Sequence, residues 1–244
     1  MNFQTISKKI VTPILIFGIA IGTFALPVST FAADPSTVLD GTLSPIRQGS
    51  AGDCGAISAI QALDNSVYGK TLLKSMITTN SNGSYTLNFA SKKQTVSKTD
   101  VKNAYVEGDL DARVIEAGLQ KAMNIYNGCF ACDVFTNITG FQQTTYYHTA
   151  SDKTAIMNAL TAKFASGQGA TAACDFSIAD DSKGIIGDGG HSYSIRWVDS
   201  DNVAVINPWD TSKYVYMSRT QFENSIRYMC YVDEVSHKVI VYWS

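Results

Sequence analysis

A glutamine and a cysteine six residues apart, Gln48 and Cys54 in the run Gln48-Gly49-Ser50-Ala51-Gly52-Asp53-Cys54, are answered far downstream by Gly190-His191-Ser192-Tyr193 and then by Asn207-Pro208-Trp209. In that order the residues offer a nucleophile, a base and a group to orient the base. A thiol attacks as its thiolate, so it needs an imidazole held nearby, and the imidazole needs a fixed partner for its second nitrogen. The tetrahedral intermediate of acyl transfer carries negative charge on the former carbonyl oxygen, which the Gln48 amide and the Cys54 backbone N–H could flank. Trp209 would shield a His191 to Asn207 hydrogen bond from water, strengthening it by lowering the local dielectric. Pro208 stiffens that corner. The two other histidines, His148 and His237, have no comparable setting.

Two kinds of element must hold these residues in place. Residues 54–68 put Ile57, Ile60, Leu63 and Val67 at helical spacing, with Asp53 as N-cap and Gly69 as stop. Cys54 then sits at a helix N-terminus, where the partial positive charge favours a thiolate by up to ~1 kcal/mol. Further helices are expected over 110–126, led by Asp109 and Asp111 and closed by Asn127-Gly128, and over 152–166, capped by Ser151 and ended by Gly167. From Gly169 the pattern changes to short β-rich runs: 170–176, 191–198, 203–207, 214–218, 228–232 and 239–243. Asp199-Ser200-Asp201-Asn202 is a hairpin signal, Asp188-Gly189-Gly190 delivers a flexible backbone to His191, and a smaller hairpin is expected over 85–96. The expected class is α+β, with a helical half carrying the cysteine, an antiparallel sheet half carrying the histidine and asparagine, and the site in the cleft between them.

At the chain start, Lys8 and Lys9 precede an apolar stretch over 10–26 that ends in small residues around Thr30-Phe31-Ala32. Residues 1–32 read as a secretory signal peptide cut after Ala32, 33–43 as a short N-terminal segment, and 44–244 as one domain. A retained membrane anchor is the rival for the leader, and no other stretch is apolar enough to span a bilayer. The expected location is extracellular. The net charge of −2 becomes more acidic once both leader lysines are removed, and no basic run marks a nucleic-acid or anionic-membrane surface.

Five cysteines in a secreted chain leave at least one thiol unpaired within the molecule, and Cys54 is the natural odd one out. An oxidising exterior favours two disulfides among Cys129, Cys132, Cys174 and Cys230, for which three pairings are open. Cys129 with Cys132 and Cys174 with Cys230 is favoured, because the last two fall in strand-like segments. The Cys129-Phe130-Ala131-Cys132 spacing also suits a zinc half-site or a redox pair, but a second ligand pair and a strand-to-helix setting are both missing.

The three stretches, in this order and with these residues, resemble the papain-like cysteine peptidases, and more specifically their calpain-type branch. Gln48-Gly49-Ser50-Ala51-Gly52-Asp53-Cys54 is similar to the oxyanion and nucleophile segment, Gly190-His191-Ser192-Tyr193-Ser194-Ile195 to the histidine strand, and Asn207-Pro208-Trp209 to the asparagine segment. Weaker echoes lie at 115–122 and 217–222. The resemblance implies a two-lobed fold in which Cys54 is the nucleophile, His191 the base and acid, Asn207 the orienter, and Gln48 an oxyanion donor. It implies a secreted endopeptidase that cleaves protein or peptide substrates through a thioester. Acyl transfer to an amine, as in transglutaminases or amidases, is the second enzymatic expectation, and an idle pseudopeptidase used for binding is the third. The chain departs from the family at Gly55, where a bulky aromatic is usual after the nucleophile. No organic cofactor or metal is implied. Calcium has no matching ligand loop here; the acidic run from Asp180-Asp181 to Asp188 could bind a cation but reads first as a solvated loop. With so short a segment before the domain, restraint of the enzyme would fall to an inhibitor or other partner, to redox state or to compartment.

Overall fold

The computed structural model describes Gly41, Leu43, residues 46–147 and residues 149–244. The expected leader, nearly all of the 33–43 segment and His148 lie outside the described residues.

Helix α1 (Cys54–Leu63) is buried on every side from Gly55 onward, as a helix of Ala, Ile and Leu with few polar positions must be to be stable. The single helix expected over 54–68 is two. The chain turns at Asp64 to Ser66, and α2 (Val67–Met76) begins there with Ser66 as its cap, the Ser66 hydroxyl accepting from Gly69 N at 2.9 Å. Asn65 fixes the break by donating to the carbonyls of Ile195 and Arg196 at 3.1 and 3.2 Å. Gly69, expected as a stop, lies in the first turn of α2, where a Cβ would come within 2.1 Å of the Leu63 carbonyl oxygen. Close packing, not helix termination, is what requires glycine there.

The expected hairpin over 85–96 is present as strands β2 (Tyr85–Asn88) and β3 (Lys93–Val96), with β1 (Ile77–Thr79) added to make a three-stranded antiparallel sheet. Helix α3 (Lys98–Lys102) opens with a Ser97/Asp100 capping box. Helix α4 (Leu110–Met123) is capped by Asp109, which accepts from Ala112 N at 2.9 Å, and it stops at left-handed Asn124 rather than at Asn127-Gly128. Helix α5 (Ala131–Thr139) then leads to β4 (Gln142–Tyr147). Helix α6 (Ala150–Ala165) takes its cap from Thr149 in place of the expected Ser151.

The remaining chain forms β5 (Ala172–Phe176), β6 (Ser192–Val198), β7 (Asn202–Asn207), β8 (Asp210–Ser218), α7 (Arg219–Ser225), β9 (Ile226–Asp233) and β10 (Lys238–Trp243). Together with β4 they build a seven-stranded sheet in the order β4-β10-β9-β5-β6-β7-β8. Every neighbouring pair is antiparallel except β10 with β4, which is parallel. A purely antiparallel sheet half is therefore corrected: β4 arrives from among the helices and can join the edge only by a crossover.

The class is α+β, and the sheet is covered on both faces. One apolar core joins α1, α4 and α5 to the face carrying Ala173, Tyr228, Cys230 and Val241. The other joins α6 and α7 to the face carrying Cys174, Phe176, Tyr193 and Met229. Successive residues of β5 alternate between the two, as strand geometry requires. The third predicted helix accordingly packs on the far side of the sheet, away from the helices that carry Cys54. Among the described residues no helix is long and apolar enough to cross a membrane.

Candidate active site

Cys54 is the first residue of α1, a helix that packs against β5 and β6 in the middle of the sheet. His191 directly precedes β6, reached through Asp188 and Gly189, both at positive φ. Both residues line one cleft of about 500 Å³, together with Cys129, Phe130, Asp175, Ser192 and Tyr228. The expected nucleophile and base thus line one cleft although 137 positions of sequence separate them.

Asn207 ends β7, and Pro208-Trp209 is the two-residue turn into β8. Its side-chain Oδ1 lies 2.8 Å from His191 Nε2 and accepts from the Trp209 backbone N–H at 2.9 Å. A backbone N–H can only donate, so the Asn207 atom it meets is the oxygen. His191 Nε2 must then carry the proton, which leaves Nδ1 as the basic nitrogen of the neutral ring. That Nδ1 is buried and has no hydrogen-bond partner. The Trp209 ring lies over the imidazole with centroids 4.1 Å apart while remaining 48% exposed, so it covers the His191 to Asn207 bond from the solvent side. Tyr193 meets the same imidazole edge-on at 5.0 Å.

Gln48 is only 4% exposed, and its backbone N–H donates to the Pro208 carbonyl at 2.8 Å, which joins the glutamine segment to the asparagine turn. Its side-chain Nε2 donates to Ala51 O at 2.7 Å, folding the loop in front of Cys54. One amide hydrogen is used in that loop, and one remains.

Desolvation governs the titrating groups. Burial pushes the Cys54 thiol up, offset in part by the backbone N–H of Ser192 beside it. The helix-end effect expected to favour the thiolate is therefore outweighed. Burial pushes the His191 imidazole down, while its hydrogen bond to Asn207 works in the opposite direction. Both directions favour the uncharged forms, thiol and imidazole.

Two buried carboxyl groups behind the nucleophile were not legible in the sequence. Asp53 packs beside Glu116 of α4 and the Gln48 amide, yet neither of its oxygens makes a well-formed hydrogen bond. It does not cap α1 through its side chain. Glu116 accepts from the backbone N–H of Tyr105 and Val106 at 3.2 and 2.8 Å. Desolvation raises both carboxyls, and their mutual repulsion keeps Glu116 protonated further up the pH scale. The sequence signal for Glu116 was a charge set between the apolar residues Ile115 and Ala117, at a position that is fully buried.

Gly55 also has a local cause. A Cβ there would stand 1.9 Å from the Cys129 carbonyl oxygen, so the loop before α5 occupies the space that a side chain after the nucleophile would need.

The structure holds all five cysteines as free thiols. Cys174 and Cys230 are on neighbouring strands as expected, but the register pairs Cys174 with Met229 and Ala173 with Cys230. The two thiols consequently project from opposite faces of the sheet, so that pairing is corrected. Cys129 lines the cleft, whereas Cys132 turns inward to Tyr228, whose hydroxyl accepts from Cys132 N at 2.8 Å and lies 2.8 Å from Cys230 Sγ. Burial pushes the Cys129 and Cys132 thiols up to about 12 and about 11, and those of Cys174 and Cys230 further.

A scan against protein-family models matches none of them, and a search of the curated proteins finds no similar sequence.

Proposed function

We propose that this chain is a thiol hydrolase with a papain-like arrangement, in which helices present Cys54 and the sheet presents His191 and Asn207 across one cleft. The observation that carries the proposal is the orientation of the imidazole. Asn207 Oδ1 and the Trp209 N–H together leave the proton on Nε2, so the free Nδ1 is the nitrogen able to take a proton from the thiol.

In the proposed reaction Cys54 gives its proton to His191 Nδ1 as its sulfur attacks the carbonyl carbon of a peptide bond. Charge on the carbonyl oxygen is met by the Cys54 backbone N–H at the start of α1 and by the remaining Gln48 amide hydrogen. The imidazolium, steadied by Asn207, returns the proton to the departing amine, and water then cleaves the thioester with His191 acting as base. Burial that favours the uncharged thiol and imidazole suits this order, because the proton then moves once substrate occupies the cleft. Secretion follows from the leader expected over 1–32 and belongs to the same proposal.

Replacing Cys54 by alanine is expected to lower cleavage of an unfolded protein substrate under reducing conditions on the order of 10⁶-fold. Undiminished cleavage by that variant would overturn the proposal. Incorporation of an added amine into the product would redirect it to acyl transfer on the same residues.

A further inference from the structure

We propose that the cleft is selective for a cationic group next to the scissile bond, a lysine or arginine side chain of the substrate, with Asp175 as its counter-ion. The inference rests on the hydrolase proposal for its substrate but on separate residues for its charge. Asp175 stands in β5 directly between Ser192 of β6 and Tyr228 of β9, and all three line the same cleft as Cys54 and His191. Its side chain is only 4% exposed, and its Oδ1 is buried with no hydrogen-bond partner. A carboxylate withdrawn from water without a donor is costly, and a ligand that supplies the missing donor relieves that cost.

The surroundings fit a cation and not an anion. Among the described residues, the side chains lining the cleft include Asp133 and Asp175 but no lysine or arginine. Asp133 already accepts from Gln143 at 2.8 Å, which leaves Asp175 as the unsatisfied acid. Arg227, the nearest cation that acts on Asp175, is held elsewhere: its guanidinium packs against Gly189 and Trp243 and reaches the Asp188 carbonyl at 3.4 Å. Phe130, 42% exposed, and Met123 line the same space. They offer apolar surface to the methylene stem of a long basic side chain, whose head then reaches the carboxylate. Burial raises the Asp175 carboxyl to about 6, and a bound cation would favour its ionised form.

The test uses the full chain in a Cys129→Ala background, so that Cys54 is the cleft thiol reporting the reaction. Rates of Cys54 modification by cationic 2-aminoethyl methanethiosulfonate and by neutral methyl methanethiosulfonate are compared with and without Asp175→Asn. The cationic-to-neutral rate ratio is expected to fall by about 10-fold or more in the variant, the size of a lost charge-assisted hydrogen bond. An equal ratio in both proteins overturns the proposal. Butylammonium protection of Cys54 in the Asp175-containing protein, with butanol as the neutral control, decides the matter should Asp175→Asn not fold; equal protection by the two also overturns it. Peptides differing only in lysine, norleucine or glutamate beside the cleaved bond then complete the test. The expected fall in the reagent ratio, with no cleavage of any peptide, leaves the cation site standing and removes the hydrolase proposal instead.

Discussion

The sheet side and the helix side of the cleft are organised by different forces. On the sheet side, His191 is fixed by directed contacts: one hydrogen bond to Asn207, a second from Trp209 N–H to the same oxygen, and an indole laid over the ring. On the helix side, Cys54 is placed chiefly by packing, on a buried helix whose second residue touches the Cys129 carbonyl and whose first turn sits over two crowded carboxyls. The contrast teaches that orientation of the base is built from specific partners, which can be removed one at a time. Placement of the thiol depends on steric fit and on where a buried proton sits, and is inseparable from folding.

Loss of Asn207 should break the sheet side most. Asn207→Ala frees the imidazole to rotate and to change tautomer, and activity should fall by roughly 10²- to 10⁴-fold while the urea unfolding midpoint moves little. A large drop in stability with little loss of rate would show that the asparagine serves the fold and would erase the contrast. On the helix side the effect should be reversed. Gly55→Ala forces a methyl against a backbone carbonyl, and a destabilisation of about 1–3 kcal/mol or more is expected in denaturant titration. An unchanged midpoint would mean the loop before α5 yields easily and does not define the position of the nucleophile.

The smallest effect is the most diagnostic of the buried proton. Glu116 is held protonated in the folded chain up to about 8, whereas in the unfolded chain it ionises near the ordinary 4.5. Between those values the folded state binds the extra proton, so stability falls as pH rises through the interval, and Asp53 acts in the same direction. Glu116→Gln keeps one of the two acceptor oxygens that meet Tyr105 and Val106 N–H and removes the titration, so the urea midpoint should be lower throughout but its decline between pH 5 and pH 8 should become shallower. Parallel declines in the two proteins would locate the pH sensitivity elsewhere.

What the sequence made legible follows from how local each cause is. The strands from 172 onward, and with them His191 and Asn207, were readable because alternating apolar runs are bounded by Asp, Asn and Gly turns. The break between α1 and α2 was not, because Asn65 is fixed by carbonyls of Ile195 and Arg196 far along the chain. Helix α5 did leave a signal, with Ala131, Val134, Phe135 and Ile138 at helical spacing, but no side-chain cap announces its start, and the Cys129 to Cys132 spacing at that start also fits a disulfide or a zinc half-site. The Asp53 and Glu116 contact, the Cys129 carbonyl against Gly55 and the cleft position of Asp175 are products of tertiary packing, with no nearby residue to announce them.

The bond from Gln48 N–H to the Pro208 carbonyl has a mechanical consequence. It ties the strand of chain that precedes the nucleophile to the turn that follows the asparagine, so the cleft resembles jaws pinned at one end. Widening at that end requires the pin to break. Exchange of the Gln48 amide hydrogen with solvent is therefore a gauge of how often the jaws come unpinned.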